Sequence, residues 1–409
     1  MKKVGFVIGL VVILVGVILF YPKSNNQKML VEDDQFNQNT SLAFYIEQED
    51  GTYTESNTLP STGYTLNTSK SVCSNNATPT WEDNRLYLNN LSKNGTSCYL
   101  YFDIKPLAMN SILANKEIRT RDDFSVTITE DTTGIIYQAE DDDGTTYYYA
   151  GAPTDNWVQW AGYYWRIIRI NGDGTIRLIY NGNSTTTTGT GTQISTGAFN
   201  NTYSDNMYVG LKYTQNEVHG LETDSTILTA LNTWYQQNLV SYADDIDTNA
   251  GFCNDRYPST SSSSSNGLGG TGAVTTYYAA YIRLTINKTP MLNCQDSSDL
   301  FTVSSSNRGN KSLTYPIGLI TADEVAYAGG VVDSNNRSYY LYTGQAYWTV
   351  SPYRFYSGNA YVFLVDMSGY LSSKLDYGSG IRPVINLKAD ITLTGSGTAT
   401  DPYVVEGAE

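Results

Sequence analysis

GYYWRIIRINGDGTIRLIYNG, residues Gly162 to Gly182, decides how the larger part of this chain reads. Two runs rich in β-branched and aromatic residues flank Asn171-Gly172-Asp173-Gly174. Turn residues of that kind between apolar runs specify a β-hairpin. Upstream, TTYYYAG (Thr145–Gly151) leads into it. The last hundred residues return to strand-like pieces: SYYLYT, AYWTVSP, AYVFLVDMSGYLSS, GIRPVINLKADITLTG and PYVVEG. Between the hairpin and these strands lie two helices. DSTILTALNTWYQQNL places Ile227, Leu228, Leu231, Trp234, Tyr235 and Leu239 on one helical stripe, with Asp224 or Ser225 as cap. TADEVAYAGG opens with Thr321 and Glu324 at capping-box spacing and stops at Gly329-Gly330. One hairpin, two helices and a returning set of strands make a mixed α+β domain.

Ahead of that domain, SLAFYIEQ, GYTLNTS, RLYLNNL and CYLYFDI are strand-like, and EDGT, LPSTG and SKNGTS separate them as turns. They predict a small all-β sandwich. LPSTG (Leu59–Gly63) matches a sortase sorting motif but lacks a following hydrophobic segment and basic tail, so it reads as a turn. At the start, Val4 to Tyr21 carries no charge, and 18 helical residues span about 27 Å, close to a bilayer's hydrocarbon core. Lys2 and Lys3 precede the run, and Val31–Asp34 (VEDD) follows it. Gly5-Phe6 resembles a type IV prepilin processing point, but Leu10 stands where that family needs glutamate.

The fold expectation is therefore an N-terminal transmembrane helix, a small β-sandwich and an α+β C-terminal domain. Its boundaries are an anchor over 1–22, a stalk over 23–40, the sandwich over 41–105, a helical connector over 106–136 (LAMNSILANKEI), the α+β domain over 137–390 and a C-terminal β-hairpin over 391–409. This implies a single-pass membrane protein with most of the chain outside the cell.

Composition narrows the function. Forty acidic residues against 25 basic give a formal charge of −15, and no Lys/Arg cluster offers a footprint for nucleic acid. The four cysteines, Cys73, Cys98, Cys253 and Cys294, are too far apart for a metal site. Locality pairs them as Cys73–Cys98 and Cys253–Cys294, although three pairings are possible. EDDDGT and NGDGT invite calcium, yet with Gly144 at the sixth EF-hand position the first and twelfth are Ala139 and Ala150, not carboxylates. Both read as turns. The one histidine, His219, sits in polar NEVHGLETD and reads as an exposed residue. No nucleophile elbow, phosphate loop or metal-binding helix occurs. Asp323 and Glu324 are explained as first-turn helix residues. No cofactor and no catalytic residue is expected. Two low-complexity loops, Asn183–Thr192 and Ser259–Gly272, cannot bury apolar area.

Several motifs resemble a large family of surface proteins from Gram-positive bacteria: WRIIRINGDGTIRLIY, LTYPIGLITADEVAYAGG, YLYTGQAYWTVSP and GIRPVINLKADITLTGSGTATDPYVV. The likeness runs from about Cys73 onward. The pattern from Trp348 to Pro383 also resembles the end of C-type-lectin-like folds, which include formylglycine-generating enzymes. Those enzymes use a reactive cysteine pair, and no cysteine follows Cys294. The Glu-Pro-Asn, Gln-Pro-Asp and Trp-Asn-Asp motifs of calcium-dependent lectins are absent as well.

SPYRFYSGNAYVF (Ser351–Phe363) carries the functional expectation. Its YRFYSGN part does not alternate and reads as a loop, made of the Tyr, Ser, Gly and Asn that recognition loops favour. SGYLSSKLDYGSG (Ser368–Gly380) has the same character. In C-type-lectin-like folds such loops share one face. The expected ligand-binding set is Tyr353, Arg354, Tyr356, Asn359, Tyr370, Lys374, Asp376 and Tyr377, for an extracellular protein or glycan. A self-assembling envelope or pilus-like component is the alternative, and an extracellular hydrolase the third reading. With 35 tyrosines against 11 phenylalanines, ordinary cross-strand pairing is the competing explanation.

Overall fold

A computed structural model describes residues 29–30, 40–48, 50–60, 63–82, 85–92, 94–105, 107–259, 271–375 and 378–406. It divides into two compact units, Met1–Ile104 and Lys105–Glu409.

In the first unit, strand Thr40–Glu47 lies parallel to Thr96–Ile104 at the centre of a five-stranded sheet. Thr96–Ile104 alternates strictly, turning Cys98, Leu100 and Phe102 inward with Thr96. A three-stranded sheet contributes Leu86 and Leu88, and these meet Phe44, Leu100 and Phe102 in one core. Cys73 and Cys98 face each other across adjacent strands and are disulfide-bonded.

The second unit is mostly β. It begins with α1 (Ala108–Leu113), whose Ala108 and Ile112 belong to its main core, so the stretch read as a connector packs into this unit. Strands β1 (Glu117–Arg119), β2 (Ile135–Asp141), β3 (Gly144–Tyr148), β4 (Trp157–Trp160), β5 (Tyr163–Ile170) and β6 (Ile176–Tyr180) follow. The hairpin around Asn171–Gly174 is β5–β6, paired from Ile170↔Ile176 to Trp165↔Tyr180 with a one-residue register shift between Ile167 and Arg169. Every residue of β6 is buried, because β5 and β12 (Val384–Leu387) flank it in the sheet and the core closes over it. Strands β13 (Leu393–Thr394) and β14 (Tyr403–Val405) form a C-terminal hairpin, and β14 joins this same nine-stranded sheet beside β4.

A second sheet holds β7 (Ser195–Gly197), β8 (Tyr347–Tyr356), β9 (Asn359–Val365), β10 (Leu371–Leu375) and β11 (Ser379–Ile381) in the order β7-β11-β8-β9-β10. Helix α2 (Thr226–Asn238) is capped by the Ser225 hydroxyl, which accepts from Leu228 N at 3.3 Å. Helix α3 (Ala322–Tyr327) carries the full capping box between Thr321 and Glu324. The second disulfide joins Cys253 to Cys294.

The expectation of a transmembrane helix is corrected. No helix among the described residues is long and apolar enough to cross a membrane. The longest, α2, has 13 residues, about 20 Å of rise, and one face of it is polar. Residues 1–22, on which the anchor was read, lie outside the described residues, as do the middle of the serine-rich loop and the Ser61-Thr62 pair of LPSTG.

Candidate functional site

YRFYSGN is not a loop. β8 continues through Tyr356, turns at Ser357-Gly358 and returns as β9 from Asn359. Both turn residues have positive φ, 50° and 77°, the geometry of a two-residue turn matched to strand twist. Alternation fails in the sequence because the register with β9 shifts on both sides of Pro352. Proline removes a ladder donor, and the bulge around it turns Tyr353 and Arg354 away from strict in-out order.

That hairpin brings four of the eight expected residues together. Tyr356 stands 47% exposed beside the turn. Arg354 is half-buried, its guanidinium carbon 5.1–5.4 Å from the ring centroids of Tyr353, Tyr356 and Tyr361, and its buried Nε makes no hydrogen bond. Tyr353 packs edge-on against Tyr281 at 4.9 Å and Phe363 at 4.8 Å. Packed in this way against the core, it forms the platform rather than the tip, and the same burial raises its phenol pKa. Asn359 closes the turn, donating from Nδ2 to Ser357 O at 2.9 Å. Lys374 lies on edge strand β10 opposite Val362, with its side chain outside the described atoms; Asp376 and Tyr377 lie outside the described residues. Tyr370 does not join the set. It sits in the turn before Leu371, which pairs with Val365. From Asn359 to Val365 is six strand steps, about 20 Å, so Tyr370 lies at the other end of the sheet.

Sequence reading missed three partners. Tyr361 is the cross-strand neighbour of Arg354 on the returning strand. Tyr277 pairs with Arg354 from a two-residue strand, Thr276–Tyr277, nearly eighty positions upstream, and its ring lies tilted against that of Tyr281 at 4.6 Å. The doublet TTYYAAY signals aromatic content but not where it docks.

Elsewhere in this unit a cavity of about 60 Å³ lies between the β2–β3 turn, α3 and the Cys253–Cys294 loop. Glu324 is its centre. Its Oε1 takes Arg169 Nε at 3.0 Å and Arg177 Nε at 2.6 Å, while Oε2 accepts from Thr321 N at 2.9 Å. Burial works against the carboxylate, yet Arg177 and Arg169 outweigh it and hold Glu324 below its ordinary pKa. Arg169 also reaches Asp141 at 2.6 Å, and Arg283 bridges Asp255 and Asp323 at 2.5 and 2.8 Å. One guanidinium thus serves two buried carboxylates; burial, opposed by Arg283 and reinforced by Asp323, pushes Asp255 up to about 6. Ser351, the only hydroxyl from β8 here, accepts from Ala322 N at 3.0 Å. Among the described residues no group of three or more His, Cys, Asp or Glu is arranged to hold a metal. EDDDGT instead turns Asp141 inward as an ion-pair partner.

His219 is also corrected. Its side chain is 26% exposed, with Nδ1 3.1 Å from Asp299 and Nε2 3.3 Å from Asp296. Hydrogen bonding to Asp299 raises its pKa over the opposing effect of burial. The polar neighbours NEVHG concealed this because both aspartates lie some eighty residues on. No family model, curated protein or solved structure matches the chain.

Proposed function

We propose that this protein is a non-catalytic recognition protein of the cell exterior that offers the β8–β9 hairpin to a protein ligand. One observation carries the reading: Arg354 lies among three tyrosine rings beside the exposed Tyr356, on the end of β8 that is paired with β9 next to the turn. Arg and Tyr on a preorganised scaffold are the side chains that dominate binding energy at interfaces, because they give large contact area for few frozen rotors. Two disulfides fit an oxidising compartment. The resemblance to Gram-positive surface proteins points the same way. In the charged cavity Asp141, Asp143, Asp255, Asp323 and Glu324 are each engaged by a guanidinium group, which favours a bracing role for it.

The test starts from the full chain with a photo-crosslinking residue placed at position 356, which identifies the protein captured. Affinity for that protein is then measured for Arg354→Ala and Tyr356→Ala. Each is expected to weaken binding at least tenfold, about 1.4 kcal/mol, with unchanged melting behaviour. Unchanged affinity in both folded variants refutes the proposal. Sedimentation that grows with concentration and is abolished by the same variants would assign the hairpin to self-assembly instead.

A further inference from the structure

A second concavity, remote in chemistry from the Arg-Tyr hairpin, runs between α2 and β7, the far edge of the same sheet. Its volume is about 680 Å³, within the range of small-molecule sites. One wall is a single face of α2: Thr226, Thr229, Ala230, Thr233, Trp234 and Gln237, spaced three and one residues apart. Sequence periodicity assigned Trp234 to the buried stripe. The structure turns it part-way out, braced by T-shaped contacts to Tyr180 at 5.4 Å and Trp165 at 6.3 Å. The small Thr and Ala side chains before it leave a trough along the helix. Ser195 of the edge strand, Asn201 and Tyr213 form the facing wall.

We propose that this trough binds a neutral oligosaccharide. Three features select that class. First, a partly buried indole, packed against the core from behind and lining the trough with its remaining surface, offers an electron-rich surface to the positively polarised C–H face of a sugar ring. Second, the polar lining is hydroxyl and carboxamide. Thr229 and Thr233 spend their protons on Ser225 O and Thr229 O, at 3.1 and 2.8 Å, and so present lone pairs to a ligand hydroxyl. The carboxamides of Asn201 and Gln237 make no side-chain hydrogen bond among the described residues and supply both donors and acceptors. Third, charge is nearly absent. Among the described residues of the lining Asp224 is the only acidic or basic side chain, and Lys212 pairs with it at 2.6 Å. A polyanionic glycan would meet no lysine or arginine on the lining, only the already paired Lys212 beside it, and a chain of net charge −15 repelling it. An apolar ligand would strand those hydroxyls and amides without partners. Strand addition by a peptide is disfavoured because β7 offers an edge of three residues, ending in Gly197.

The experiment titrates the full protein with maltotriose, mannotriose and N-acetylated chitotriose, all neutral, each to about 10 mM, which detects dissociation constants as weak as the millimolar scale. Saturation-transfer NMR reads binding. At least one trisaccharide is expected to bind, Gln237→Ala to weaken it about fivefold, and Thr233→Trp to abolish it by filling the trough. Both positions are solvent-exposed, so the variants keep the fold, which near-ultraviolet circular dichroism verifies; Trp234→Ala is avoided because Trp234 also packs against Tyr180 and Trp165. Failure of all three sugars to bind overturns the proposal, as does binding that survives Thr233→Trp. Preference for a sulfated trisaccharide would overturn its neutral class, and a strand-forming peptide bound where the sugars are not would transfer the trough to peptide recognition. None of these outcomes bears on Arg354 or Tyr356, so the trough and the hairpin stand or fall separately.

Discussion

Removing the Glu324 carboxylate tests whether the charged cavity is a brace. Glu324 and Arg177 are each 2% exposed and Arg169 12%, so water cannot replace what the carboxylate supplies. In Glu324→Ala, Arg169 keeps Asp141 at 2.6 Å. Arg177 keeps only neutral acceptors at 3.3–3.5 Å: Gly251 O, Asn386 Oδ1 and Leu319 O. An uncompensated buried charge costs about 3–5 kcal/mol, and loss of half the capping box adds about 1 kcal/mol. The expected destabilisation is therefore about 4–6 kcal/mol. Glu324→Gln preserves volume and can still accept from Thr321 N, so its loss is the charge contribution alone, about 3 kcal/mol. Replacing both charges, Glu324→Leu with Arg177→Met, should recover much of the loss, because each charge is then removed with its partner. Urea unfolding of the full protein reads all three, following near-ultraviolet signal from the buried Trp160, Trp165 and Trp348 of this unit. A Glu324→Ala cost below about 1 kcal/mol, the value of an exposed pair, would refute the reasoning. So would equal costs for Ala and Gln.

Stability should also depend on His219. Its folded pKa is raised, so its contribution is complete below the unfolded value near 6.5 and is lost as pH rises through the folded one. Urea midpoints compared at about pH 5.5 and about pH 8.5 should fall more in the native protein than in His219→Gln; equal falls contradict the pairing. Asp255 has the same sign: raised to about 6, it favours the fold at low pH and loses that contribution as pH rises through that value, and Asp255→Asn should flatten the slope there. Reducing the disulfides opens loops with separations of 25 and 41 residues, worth about 3–4 kcal/mol each on loop entropy; the Cys253→Ser, Cys294→Ser pair should lower the unfolding midpoint of the second unit and leave that of the first unchanged. Gly369 has φ +80°, and an added Cβ would lie 1.8 Å from Asn336 O; Gly369→Ala should cost at least about 2 kcal/mol by calorimetry, whereas Gly358→Ala, with open space around it, should cost less.

Sequence alone carried the features that depend on neighbours along the chain. Asn171–Gly174 between apolar runs specifies the β5–β6 hairpin through local turn sterics. Thr321 and Glu324 form their capping box within one helical turn. Both disulfides join the pairs that locality in sequence favours among the three possible pairings. Where periodicity broke, the chain concealed its structure: the bulges at Pro352 made a strand read as a loop, and Tyr370, sharing the composition of the hairpin, lies at the sheet's other end. Tertiary structure alone decided that Tyr277 docks beside Arg354, that Trp234 lines a trough, and that Arg169, 155 residues from Glu324, meets it. Local sequence constrains φ, ψ and which face of an element is apolar. It contains no record of which distant element covers that face, and the charges and rings at these sites are brought together by that covering.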